Sequence, residues 1–216
     1  MITVACVLRS GGPYTPEWVY ALKRNLNQYL ADYTFRVLSD CSCFGQEGIP
    51  FKYNWPGWWS KLELFCPGLF EGPVLYLDLD TLVVGDLSEI ATYTGRLAMN
   101  SDFFRPQFAQ SGVMMWTPGP LTDAIWQDFC NEPDHMRIPR RDDGQWLHLY
   151  TLASKQLPDR LQDLFPGQLV SYKVEARNGP PPNARLVCFH GSPKQTDPRS
   201  GWAYERWMGL NVKESE

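Results

Sequence analysis

Apolar residues along the chain recur with two different spacings. ITVACVL (2–8) is a continuous apolar run closed by the turn SGGP, the pattern of a buried strand. Thr15-Pro16-Glu17 marks a helix start: a capping hydroxyl, proline at the first position, and an acid near the positive end of the dipole. Trp18, Leu22, Leu26, Tyr29 and Leu30 then follow one helical face. TFRVLSD (34–40) is a second strand, so the opening strand-helix-strand unit predicts a parallel sheet with a crossover helix. WWSKLELF (58–65) has the spacing of a short helix with Leu62 and Phe65 inward, and Gly72-Pro73 launches the apolar run VLYLDLDTLVVGDL (74–87). RLAMNSD (96–102) and SGVMMW (111–116) are strand-like, and LTDAIWQDFCNE (121–132) places Leu121, Ile125 and Phe129 on one helical side. The polar loop MRIPRRDDG leads into a helix over 145–157, and LVSYKV (169–174) and RLVCF (185–189) are late strands separated by NGPPPN. No repeat, low-complexity tract or linker interrupts this order, so one α/β domain over 1–216 is expected.

Composition narrows the classes. The 216 residues are 44% hydrophobic and 14% aromatic, enough for a sizeable core and unlike a disordered chain. A net charge of -4 offers no general basic face, so no nucleic-acid partner is expected. The six cysteines form no CxxC pair; Cys6, Cys66, Cys130 and Cys188 lie in apolar runs as small hydrophobes, and Cys41/Cys43 is a weak metal or redox signal. The N-terminus has no secretory pattern, and no stretch reaches the roughly 18 apolar residues of a membrane span. The expectation is a soluble, reduced, cytoplasmic protein without a transmembrane segment.

The two aspartates inside VLYLDLDTLVVGDL carry the chemistry. If the strand continues to Asp80, Asp78 and Asp80 share one face, roughly 7 Å apart along the chain, with Leu79 opposite. Two carboxylates converging near a strand's carboxyl end make an oxygen site for a divalent cation, in the place where open α/β sheets hold ligands. A turn whose aspartates simply face water is the plainer alternative. Two chemistries use a strand ending in DxD. Phosphoryl transfer to aspartate, as in the haloacid-dehalogenase superfamily, wants Thr or Val where Leu82 stands, in a motif that usually opens the chain. Glycosyl transfer from a nucleotide sugar uses the pair to hold a metal on the diphosphate.

Five motifs in order resemble the retaining GT-A glycosyltransferases related to glycogenin and the bacterial lipopolysaccharide galactosyltransferases. They are Trp-Ser-Lys61-Leu-Glu, LYLDLDTLVVGDL, Phe108-Ala-Gln-Ser111-Gly112-Val-Met, Asp143-Gly-Gln145-Trp, and Phe189-His190-Gly191-Ser-Pro-Lys194, together running from about residue 2 to 195. The resemblance implies a Rossmann-like mixed central sheet flanked by helices in one domain. Its nucleotide-sugar half would cover about 1–90, its acceptor and catalytic half about 91–200, and its tail 201–216. It implies transfer from a UDP-linked sugar to an acceptor it does not name, with retention, and a metal held by Asp78, Asp80 and His190. Two carboxylates and one imidazole suit Mn²⁺ or another transition ion. Lys194 and Lys61 would stabilise the diphosphate leaving group, Gln145 would lie beneath the sugar, and Asp102 would bond its hydroxyls. Gln110, Ser111 and Gly112 form the family's SGV strand, and Arg9, Ser10 and Tyr14 occupy the loop where it cradles uridine.

Each residue also has a plainer role: His190 as a core histidine, Lys194 as a solvated lysine, Lys61 as a snorkelling one, Tyr14 as a packing aromatic. Trp55, Trp58, Trp59, Trp116, Trp202 and Trp207 are candidates for an acceptor platform or for core. The chain departs from the family in two places. Gly144, not Asp, precedes Gln145, with Asp143 one position early, and His190 abuts Gly191 in a compressed closing motif that has Gln195 where the family has Pro. These departures keep open a nucleotide-sugar hydrolase, an aspartate phosphatase, and a nucleotide-sugar-binding protein without turnover.

Overall fold

The computed structural model describes residues 1–132, 134, 136 and 142–209. The strands are β1 (Ile2–Leu8), β2 (Tyr33–Ser39), β3 (Gly48–Pro50), β4 (Val74–Leu77), β5 (Thr81–Val83), β6 (Ala98–Ser101), β7 (Ala109–Trp116), β8 (Asp159–Arg160), β9 (Leu169–Ser171) and β10 (Leu186–Cys188). The helices are α1 (Pro16–Tyr29), α2 (Pro120–Asn131), α3 (Asp143–Ala153), α4 (Leu161–Leu164) and α5 (Trp202–Met208).

Seven strands form the central sheet in the order β3-β2-β1-β4-β7-β6-β8. β1 is parallel to β2 and β4, while β7 runs antiparallel to both β4 and β6. Strand alternation divides the core between the two faces. Val4, Cys6 and Leu8 of β1, Leu75 and Leu77 of β4, and Val113 and Met115 of β7 pack with Trp18, Leu22 and Leu26 of α1. Ala5, Val74, Tyr76, Met114 and Trp116 point the other way, onto Leu121, Ile125 and Phe129 of α2 and Trp146 and Leu147 of α3. A three-stranded sheet, β5-β10-β9, packs a smaller cluster around Leu82, Val187 and Phe189.

Several expected elements change. The long run 74–87 is two strands: β4 ends at Leu77, and β5 leaves for the second sheet. Its apolarity persists because Leu79 and Val83 fill the α1 core while Leu82 fills the small one. WWSKLELF lies within a 3₁₀ helix, Gly57–Phe65, that is buried from Trp59 to Phe65, so Lys61 and Glu63 go inside with Leu62. The last long helix spans Asp143–Ala153 rather than 145–157. β9 ends at Ser171, where Tyr172 begins a turn. Thr15 stands at the α1 cap position without capping; its hydroxyl bonds Glu17. Cys41 and Cys43, expected reduced, are paired as a disulfide; Cys6, Cys66, Cys130 and Cys188 are free. Most of the polar loop before α3 (137–141) and the KESE tail lie outside the described residues.

His148 ties α3 to β7. Its Nδ1 accepts the Ala109 N–H at 3.2 Å, which requires the neutral ring, and burial first and Arg160 second hold its pKa below the ordinary value. A depressed folded pKa gives stability that is present above the unfolded value and lost as pH falls through the folded one. Thermal melts from pH 8 to 5 should therefore show the native protein losing stability relative to His148→Gln below about pH 6.5. Parallel pH profiles for the two proteins would refute the linkage.

Candidate functional site

The site lies where β1 and β4 end. Asp78 donates its N–H to Gly112 O at 2.8 Å, and Thr81 N–H closes a turn onto Asp78 O at 2.9 Å. Asp78, Leu79 and Asp80 therefore belong to a turn, and strand alternation is not what orients the two acids. Chain far downstream clamps this turn: Phe189 N–H bonds Asp80 O at 3.1 Å, and the Gln195 amide bonds Leu79 O at 3.1 Å. The turn opens into a cavity of about 1120 Å³.

Lys61 is the buried centre, its side chain 8% exposed. Its ammonium lies 2.9 Å from Asp78 Oδ1, 3.1 Å from Asp143 Oδ2, and 3.2 Å from both Ser111 O and Ser111 Oγ. Ser111 Oγ also donates to Asp143 Oδ2 at 2.6 Å. The two carboxylates raise the Lys61 pKa although burial opposes them, so it stays charged. One ammonium cannot neutralise two carboxylates. Asp78, open only toward the cavity, is pushed up to about 6 by burial, against Lys61 and with help from Asp80 and Asp143. The Tyr76 hydroxyl donates to it.

Asp80 pairs with Lys194 and accepts the Tyr14 hydroxyl at 2.9 Å. Tyr14 is thus engaged with the acid turn, its own pKa raised by burial and then by Asp80. Upstream, Asp40 accepts the Ser10 N–H at 2.9 Å and its hydroxyl at 2.7 Å, while Arg9 bonds Asn54 over the Phe51 ring. Gly191 has a φ of +66°, where a side chain would be strained, and a Cβ there would also stand 3.2 Å from Lys173 Nζ.

The structure brings Arg9, Ser10, Tyr14, Lys61, Asp78, Asp80, Asp102, Gln110, Ser111, Gly112, Asp143, His190, Gly191 and Lys194 to the lining of one cavity. It does not bring Gln145, which is exposed on the first turn of α3 and absent from the cavity lining. Asp102 is committed locally: its oxygens accept the Phe104 and Arg105 N–H groups, the Arg105 guanidinium and, at 3.0 Å, the Gln110 amide. His190 Nε2 sits 2.7 Å from Ser171 Oγ, its ring stacked on Phe103 and edge-on to Phe104. Burial, then Lys173, lowers its pKa. Among the described residues no three His, Cys, Asp or Glu side chains are gathered as a ready metal cluster.

The donor set still fits a divalent cation in its chemistry. With Asp102 paired to Arg105, the lining carboxylates Asp78, Asp80, Asp142 and Asp143 still outnumber its cations Arg9, Lys61 and Lys194 among the described residues, a surplus that a bound cation would relieve. Residues not anticipated from sequence also line it: Phe103, Phe104, Asn100, Asp142 and Cys188. Cys188, two residues before His190 on the same strand end, has its thiol held protonated by burial and the charges of Asp80 and Asp78. Of the tryptophans singled out, Trp58 is exposed at the cavity, whereas Trp59 and Trp116 are core.

No protein-family model and no curated protein sequence matches the chain. Solved structures do. A crystal structure of an active-site mutant of LgtC matches at TM-score 0.68 and 14% identity over 96% of this chain and 94% of that one. The shared architecture decides the fold. It is the GT-A glycosyltransferase fold. The galactosyltransferase LgtC solved with donor and acceptor sugar analogs matches at TM-score 0.64 and 13% identity over 99% of this chain and 98% of that chain. Apo GlyE of Streptococcus pneumoniae TIGR4, a glycosyltransferase, matches at 0.65 and 14% over 95% of this chain, which spans 59% of GlyE. In this GT-A fold the acid turn follows β4, beside the parallel part of the sheet. No described helix is long and apolar enough to cross a membrane.

Replacing Lys61 by Met should leave Asp78 and Asp143 without their cation and cost about 3–5 kcal/mol, read by urea unfolding. Asp143→Asn, which leaves the Lys61–Asp78 pair standing, should cost less. Equal stability of native and Lys61→Met proteins would show that the triad contributes nothing.

Proposed function

We propose that the chain is a retaining glycosyltransferase that transfers a sugar from a nucleoside-diphosphate sugar, UDP-linked, to a hydroxyl acceptor, with Mn²⁺ or another divalent cation. The observation that carries this reading is the acid turn Asp78–Asp80 sharing a cavity wall with Lys194 and Lys61, within a GT-A fold. LgtC, of the same fold, has been solved with donor and acceptor sugar analogs.

Asp78, Asp80 and His190 would hold the cation. His190 would release Ser171 to do so, or present Nδ1. When bound, the cation draws charge from the diphosphate oxygens as the sugar leaves. Lys194, beside Asp80, sets a further positive charge where the diphosphate departs, and the loop of Arg9, Ser10 and Tyr14 forms the nucleoside end. Gln110, its amide nitrogen held by Asp102, keeps its carbonyl oxygen for a sugar hydroxyl. Retention follows from the resemblance, with the acceptor attacking on the leaving-group face.

UDP with Mn²⁺ at about 100 times Kd should stabilise the protein by about 2.7 kcal/mol, a rise of roughly 5–10 °C in Tm, and Asp80→Asn should abolish it. Absence of metal-dependent protection by any common nucleoside diphosphate would end the donor-site reading. A phosphatase would instead trap beryllium fluoride on Asp78 and ignore UDP. A hydrolase would release free sugar whatever acceptor is offered, and a binding protein would show protection without donor hydrolysis.

A further inference from the structure

Four residues, 142–145, begin α3, of which Asp142 and Asp143 line the cavity, and three of the four offer it no group free for a sugar. Asp143 is locked between Lys61 and Ser111. Gly144 has no room for a side chain, because a Cβ there would stand 3.0 Å from Ser111 Oγ and 3.1 Å from Ser111 N. Gln145 turns to solvent. The fourth, Asp142, lines the cavity. Its Oδ1 caps the helix by accepting the Gln145 N–H at 2.7 Å, and no bond occupies Oδ2 among the described contacts. The cap holds the carboxylate in one orientation with an acceptor oxygen to spare.

We infer that Asp142 is the catalytic residue contributed by α3, the group that meets the transferred sugar where a neutral amide was expected. This rests on the glycosyltransferase reading. As the bond from anomeric carbon to phosphate breaks, its electron pair leaves with the nucleoside diphosphate and positive charge grows on the sugar. The Asp142 carboxylate lines the same cavity and stabilises that charge without forming a bond. The acceptor oxygen then bonds the anomeric carbon, and its proton passes to the departing phosphate. Placing an anion opposite the growing positive charge lowers the barrier only in the transition state, so kcat changes and donor binding does not.

Asp142→Asn separates charge from cap, since Asn caps a helix as well as Asp does. Donor turnover, measured as transfer or as slow donor hydrolysis with a panel of nucleotide sugars, should fall by about 100-fold or more in kcat. KM for the donor should stay within about threefold and Tm within about 2 °C, whereas Gln145→Ala, which keeps its capping N–H, should retain native kcat. If Asp142→Asn keeps more than about a third of native kcat, or Gln145→Ala falls as far, the assignment is overturned. A native protein that turns over donor while Asp142→Asn is unaffected defeats this inference alone. A native protein that binds no nucleotide sugar defeats the donor-site reading, and this inference with it.

Discussion

A single buried ammonium organises the site. Lys61 comes from a 3₁₀ helix, Asp78 from the turn after β4, Ser111 from β7 and Asp143 from α3, so one charge joins four separate segments. Taking an ammonium out of water is costly unless oxygens surround it, and this constraint leaves the four segments little choice of relative position. The surrounding aromatic core, with Tyr76 beneath Lys61 and Phe129 between Trp59 and Trp146, supplies the rigidity that such a cluster needs.

Around that centre the cavity lining combines charge with aromatic surface. The loop after β1 and the closing segment contribute Arg9, Tyr14 and Lys194, while α3 and the loop after β6 contribute Asp142, Asp102, Phe103 and Phe104. His190 of the closing segment packs on both of those rings, so the two groups meet inside the cavity. Under the proposed reading, the cations would serve the departing diphosphate and the carboxylates the sugar.

The strand-helix-strand opening was legible because its periodicities are clean and its two faces bury differently; β1 and α1 match the expected runs closely. The region 74–87 misled because its apolar residues serve three packing environments, and apolarity alone does not show where a strand stops. Most motif residues do gather around one cavity, since loops at the ends of neighbouring strands necessarily meet there. Gln145 failed for a local reason: the helix starts at Asp143, so the buried first-turn position belongs to the aspartate and the glutamine rotates outward. Asp142 and Cys188 were passed over because each adjoins a residue with a stronger motif claim, and only packing tells such neighbours apart.

The clamp on the acid turn has a consequence for how the molecule comes into being. Asp80 and Leu79 are held by Phe189 and Gln195, more than a hundred positions later, and β5 finds its partner only in β10. A nascent chain can build the α1 side of the sheet early, yet the aspartates stay unframed until the segment 186–195 has emerged. Closing so long a loop carries an entropic cost, which makes these contacts among the late ones to form. The acid turn therefore takes its shape from segments more than a hundred residues apart, and the cavity it lines is complete only once they have met.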